Sequence, residues 1–105
     1  MRLQLAVKEQ YFNEMKAGTK TEEYRKATEY WENRLFKRGT VEPNEFDCVV
    51  ITQGYPKGGD PEKTLVFEFR GWKRKTITHP HFGPDPVEVF AIDVSCRAAL
   101  ERSEG

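Results

Sequence analysis

The chain has 105 residues, with 17 basic and 17 acidic side chains and a formal net charge of zero. That length fits one domain with a modest core. The neutral balance excludes a protein held on nucleic acid by bulk electrostatics, so any such contact must come from a local basic patch or a pocket for one nucleotide. Hydrophobic residues make up 37% and charged residues 32%, so the core is small and much of it must come from the 13 aromatics (seven Phe, four Tyr, two Trp). Two cysteines far apart, Cys48 and Cys96, do not make a disulfide framework and read as small reduced core or near-surface residues. No run approaches the ~18 apolar residues of a membrane span, and Met1–Leu5 is too short and polar for a secretion signal. A cytoplasmic setting without membrane contact is the expectation.

In chain order, Leu3, Leu5 and Val7 alternate with polar or small residues, the period-two pattern of a strand with one buried face. Residues 9–17 read as a short helix carrying Phe12 and Met15, with Gly18 where a glycine ends such a helix. The segment Thr21–Lys26 is ambiguous. As a strand it sets Thr21, Glu23 and Arg25 on one face and Glu22, Tyr24 and Lys26 on the other. Residues 28–38 read as a second helix. Thr28 is its cap, Trp31 and Leu35 an i,i+4 pair, Arg34, Lys37 and Arg38 its basic end, and Gly39 its stop.

Beyond Gly39 the chain reads as β. Phe46–Thr52 is a nearly continuous apolar run and hence a central strand. Gln53–Pro61, rich in Gly and Pro, is a long loop. Leu65, Phe67 and Phe69 alternate with Val66, Glu68 and Arg70, and Gly71 marks a bulge or barrel corner. Residues Thr76–Thr78 continue that strand. His79–Pro86 is a proline-rich loop, and Val87–Ser95 the last strand. One domain over residues 1–96 is expected, with 97–105 a fraying tail. Two short helices with five or six strands fit a small α+β barrel better than a parallel α/β sheet, which needs more helices between its later strands.

The chemistry concentrates in Gly18-Thr19-Lys20-Thr21-Glu22-Glu23-Tyr24-Arg25. If 21–26 is a strand, Glu23 and Arg25 lie side by side about 7 Å apart, and Lys20 reaches the same face from the turn at Gly18. A carboxylate then sits between two cations. Arg25 offers a planar fork for phosphate or a base edge, and Lys20 a point charge or a base. Glu23 can hold either cation or accept from an exocyclic amino group. The bland alternative is a set of surface ion pairs.

Arg70-Gly71-Trp72-Lys73-Arg74-Lys75 suits a nucleic-acid groove, with phosphate contacts and a stacking ring. Its alternative is an edge strand whose lysines block edge pairing, with Trp72 as core or rim filler. Gln53-Gly54-Tyr55-Pro56-Lys57 could read and stack a base, or be a plain Gly-Pro turn. His79-Pro80-His81 lacks further ligands nearby, so no metal is expected; one histidine as a general base is the remaining option. No phosphate loop, G-x-S-x-G or C-x-x-C is present, and no cofactor is implied.

With Val7-Lys8-x-x-Tyr11-Phe12 ahead of it, the G-x-K-x-x-E-x-R spacing resembles the opening of an ASCH domain, and the later strands follow in similar order over about residues 3–95. The resemblance implies a PUA-like mixed β-barrel with two flanking helices and a cleft lined by Gly18, Lys20, Glu23 and Arg25. Arg70, Trp72 and Lys73 would form a second wall. It also implies RNA or a nucleoside- or nucleotide-like ligand as partner. Some members of the family are nucleases, and one small branch removes the acyl group from N4-acetylcytidine. Lys20 matches that branch's lysine, but its threonine nucleophile falls at Glu23, Thr21 is at the wrong offset, and its later glutamate has no equivalent in His79–Pro86. A binding domain is therefore the first reading. A hydrolase with Lys20 and Glu23 as catalytic pair is the second. A protein-interaction adaptor using exposed Tyr30, Tyr55 and Trp72 is the third.

Overall fold

The computed structural model describes residues 1–55 and 59–98. The element order is β1 (Arg2–Val7), α1 (Glu9–Ala17), β2 (Glu22–Lys26), α2 (Glu29–Leu35), β3 (Cys48–Gln53), β4 (Thr64–Glu68), β5 (Trp72–Ile77) and β6 (Val87–Asp93). The strands form two three-stranded sheets, ordered β1-β3-β4 and β2-β6-β5. β1 pairs parallel with β3, and every other pairing is antiparallel. The nearly continuous apolar run becomes central strand β3, and the last strand becomes the other central strand, β6. Val49, Ile51, Phe90 and Ile92 are sealed from solvent there. Between the sheets they meet Leu3 and Leu5 of β1, Phe12 and Met15 of α1, Leu35 of α2, and Leu65 and Phe67 of β4.

The expected PUA-like mixed barrel is not what forms. The chain changes sheet at Gly71, whose φ of 89° is open to glycine at little strain. Beyond it β5 pairs with β6 and not with the β3 side. Residues 76–78 therefore do not continue β4. The β4 edge is instead covered by the segment after β6: Glu68 N donates to Cys96 O at 2.8 Å and Ala98 N to Val66 O at 2.9 Å. The expected tail thus begins with two docked residues, Arg97, bridged to Phe67, and Ala98, buried. Residues 99–105 lie outside the described residues.

On the opposite side β1 and β2 are both edge strands, and no ladder joins them. Val7 O accepts from Gly54 N, so in β1 the odd residues turn their peptide groups toward β3. Ala6 O therefore points to the open side, where the Arg25 Nη2 donates to it at 2.8 Å. Side chains occupy the place that a backbone ladder would need to close the barrel.

The local starts and stops have plain causes. Gly18, at φ 83°, ends α1 by donating to Met15 O at 3.1 Å. The amides of Thr19 and Lys20 both donate to Glu14 O, at 2.9 and 3.1 Å, tying the turn that carries Lys20 to the helix end. Thr28 Oγ1 accepts from Trp31 N at 3.4 Å and starts α2. α2 ends at Leu35, three residues short of the expected stop. The Asn44 amide donates to Arg34 O and Phe36 O, both at 3.1 Å, and Phe36 turns inward against Trp72. Lys37 and Arg38 are thereby excluded from the helix. Cys48 and Cys96 are free and half-buried. Among the described residues no helix is long and apolar enough to cross a membrane.

Candidate functional site

The open side between β1 and β2 holds a cleft of about 320 Å³. Ala6, Val7 and Lys8 line it from the end of β1, Tyr11 from α1, Lys20 from the turn, Glu23, Tyr24, Arg25 and Lys26 from β2, Thr28 and Trp31 from α2, and His79, His81 and Phe82 from the loop before β6. β2 sets the alternation. Glu23 lies opposite Ile92 and Arg25 opposite Phe90 in the ladder, on the face that meets the core.

Glu23 is the most deeply buried charged group among the described residues, 7% exposed. Arg25 Nε and Nη2 both meet its Oε2, at 3.0 and 2.9 Å. Burial pushes the Glu23 carboxyl above the ordinary glutamate range, against the pull of Arg25, Lys20 and the Tyr24 amide. The guanidinium is braced three ways: by Glu23, by Ala6 O, and by the Trp31 ring, whose centroid is 5.2 Å from Cζ. Lys20 Nζ stands over two rings, 4.5 Å from Tyr24 and 5.2 Å from Tyr11. Contacts of this kind contribute about 0.5–2 kcal/mol, more as they are desolvated.

The far wall is the 3-10 turn Pro80–Phe82. His79 Nδ1 accepts from His81 N at 3.1 Å, which makes Nε2 the protonated nitrogen of neutral His79. His79 packs edge-on to Tyr11 at 5.8 Å, and His81 does so at 6.0 Å. Burial, then the charges of Lys8, His79 and Arg25, hold the His81 imidazole below its ordinary value. The cleft is therefore a cationic, ring-lined slot with one buried carboxylate. No group of His, Cys, Asp or Glu among the described residues is placed to hold a metal ion.

Of the residues singled out in the sequence, Lys20, Glu23 and Arg25 come together here. Gly18 sits one turn behind as the helix stop. Arg70, Trp72 and Lys73 are not brought to the cleft. Arg70 is exposed near Glu68 at 3.9 Å, and Lys73 faces solvent on β5. Trp72 packs on Phe36 and Phe90 at 5.1 and 4.9 Å. It is thus core filler, and it cannot present a free ring beside Tyr30 and Tyr55, which are exposed. Gln53 ends β3 and does not line the cleft, and Pro56 and Lys57 lie outside the described residues. The sequence reading missed Tyr11, Tyr24 and Trp31 as site residues. One local signal existed: Tyr24 lies inside the motif, and Tyr11 and Trp31 lie one helix to either side.

Comparison with protein-family models, with curated proteins and with solved structures finds no match to the chain. Fold and site together define a small α+β domain with a cleft in an unpaired sheet seam.

Proposed function

We propose that the domain binds a nucleoside- or nucleotide-like ligand, free or as one unpaired residue of RNA, in the β1–β2 cleft. The observation that carries this reading is the convergence of Lys20, Glu23 and Arg25 with the rings of Tyr11, Tyr24, Trp31 and Phe82 on one cleft of about 320 Å³. That volume lies at the low end for small-molecule sites, about 300–1,000 Å³, and suits one nucleoside better than a duplex. Rings supply the stacking surface for a base. Lys20 and Arg25 supply charge for a phosphate or a base carbonyl. The zero net charge agrees with a ligand held by local contacts. The same three residues make up the G-x-K-x-x-E-x-R spacing, which supports membership of the ASCH family on motif and site, though not through a closed barrel.

The test is a titration of short single-stranded RNAs and nucleoside monophosphates, followed by NMR line shifts. Shifts centred on Lys20–Arg25 and Trp31, lost in Lys20→Ala with the fold retained, are expected. Binding unchanged in that variant would remove the assignment.

A hydrolase in the same cleft is the second reading. It is favoured by one observation: a buried carboxyl whose affinity for protons burial raises lies in the same cleft as Lys20 and as an imidazole, His81, that burial holds below its ordinary value. Lys20 would act as base or oxyanion stabiliser and Glu23 as proton shuttle. Product formed from N4-acetylcytidine or RNA, and abolished in Lys20→Ala, would promote this reading over simple binding.

A further inference from the structure

The Glu23 carboxylate is used unevenly. Both donors from Arg25 fall on Oε2, so Oε1 stands outside the guanidinium fork. A carboxylate oxygen accepts more than one hydrogen bond, and the Tyr24 amide on this group does not exhaust it. The side chain retains 9% accessibility and lines the cleft. Its position is also fixed. Glu23 sits mid-strand, its guanidinium partner is anchored to Ala6 O and Trp31, and its neighbours in the core do not move freely. An acceptor that is buried, charged and immobile is a poor partner for a carbonyl and a strong one for an N–H donor. Every other charged group facing the slot, Lys8, Lys20, Arg25 and Lys26, is a cation and therefore a donor.

Resting on the nucleoside reading above, we propose that Glu23 Oε1 accepts a hydrogen bond from an exocyclic amino group, so that the cleft selects amino-bearing nucleobases over those with a carbonyl or hydrogen at that position. The physical ground is an asymmetry. A base that offers an amino group completes the carboxylate, whereas one that offers a carbonyl sets oxygen against oxygen beside a nearly buried carboxylate. Sites built this way reject the analogue lacking the donor more strongly than apolar pockets reject a change of size. Burial also raises the affinity of Glu23 for protons, a desolvation that a donor from the ligand would offset.

The experiment uses the whole chain and matched ligand pairs: cytidine against uridine, adenosine against inosine, and guanosine against inosine, which differ only in a 2-amino group. Each pair is titrated as the 5′-monophosphate and again as the central residue of a five-nucleotide single strand. The two series separate a free nucleotide from an unpaired RNA residue as the source. In at least one pair the amino-bearing member should bind about tenfold or more tightly, in whichever series binds. Glu23→Gln should bring that pair to within about threefold, and Glu68→Gln, on an exposed site away from the cleft, should leave the preference intact. Equal binding within all three pairs overturns the selection by Glu23 while leaving the nucleoside reading standing. Absence of binding in both series overturns that reading and the selection with it.

Discussion

Two clusters of cations, Lys20 with Arg25 and Arg70 through Lys75, look alike as strings of residues and end in opposite settings. Lys20 and Arg25 lie half-buried over aromatic rings and share one buried carboxylate. Arg74 and Lys75, neighbours on the edge strand β5, point to opposite faces of their sheet. Each has its own partners there: Arg74 sits between Glu32 and Glu88 at 2.8 and 3.2 Å, and Lys75 on Glu22 at 2.8 Å. The second cluster is therefore neutralised in place. The difference lies in the strand edges. β2 and β5 are the two edge strands of one sheet, each ladder-paired to β6 along its length, but β2 borders the open seam with β1 where the cleft lies, and β5 does not. Cations beside that seam line a cleft; Arg74 and Lys75 are held by carboxylates of α2, β6 and β2 outside it.

The sharpest way to break this comparison is Arg25→Ala. It leaves Glu23 buried without its partner and Ala6 O without its donor, and should destabilise the domain by about 3 kcal/mol. Urea denaturation measures this, and a loss below about 1 kcal/mol would mean that the seam is wetter than its geometry implies.

Next comes the pH response of the two adjacent glutamates, whose signs oppose. Glu23 binds its proton more tightly folded than unfolded. Its contribution is thus present below the ordinary glutamate value, 4.5, and lost as pH rises through its raised value. Glu22, held down by its hydrogen bonds from Lys75, contributes above that value and loses this as pH falls through its lowered one. Relative to wild type, Glu23→Gln should gain stability as pH rises above about 4.5, and Glu22→Gln should lose it toward that value from below. Denaturation midpoints between pH 3 and pH 7 (roughly the window in which glutamates titrate) would show slopes of opposite sign. Parallel slopes would show that burial does not separate the pair.

Gly18→Ala tests the turn that carries Lys20. An added Cβ meets nothing within 4 Å, so the cost is backbone strain alone, about 1 kcal/mol. Ligand affinity should fall alongside, because Lys20 is displaced. The smallest effect belongs to Arg74→Ala, within about 1 kcal/mol for exposed ion pairs and with no change in binding. Weakened binding in Arg74→Ala or Lys73→Ala would return the second cluster to the site and dissolve the distinction.

Much of this was legible in the chain. β1 follows from the alternation of Leu3, Leu5 and Val7, and α1 from Phe12, Met15 and the stop at Gly18. β3 follows from its nearly continuous apolar run and β6 from the last strand read over Val87–Ser95. In each case the cause is local: period, cap or glycine. Grouping Lys20, Glu23 and Arg25 needed only the strand period across 21–26. Trp72 was not legible in the same way. Stacking ring and core filler are the same residue until Phe36 and Phe90 are placed beside it. The early end of α2 was hidden too, since the Asn44 amide that takes its last carbonyls comes ten residues after Arg34.

What the sequence by itself determined, then, is β1, α1, the start of α2, β3 and β6, which of their faces are apolar, and, once 21–26 is taken as a strand, that a carboxylate lies between two cations. Only the tertiary structure decided that β5 joins β6 and not β3, that residues 96–98 cover one seam, and that β1 and β2 leave the other open. It also decided that Tyr11, Trp31, His79 and His81 meet around that opening. Local periodicity and capping act over a few residues and leave a readable trace. The choice of which edges pair depends on contacts across 19 to 70 positions, as between Arg25 and Ala6 or Tyr11 and His81, and no short window of sequence records it.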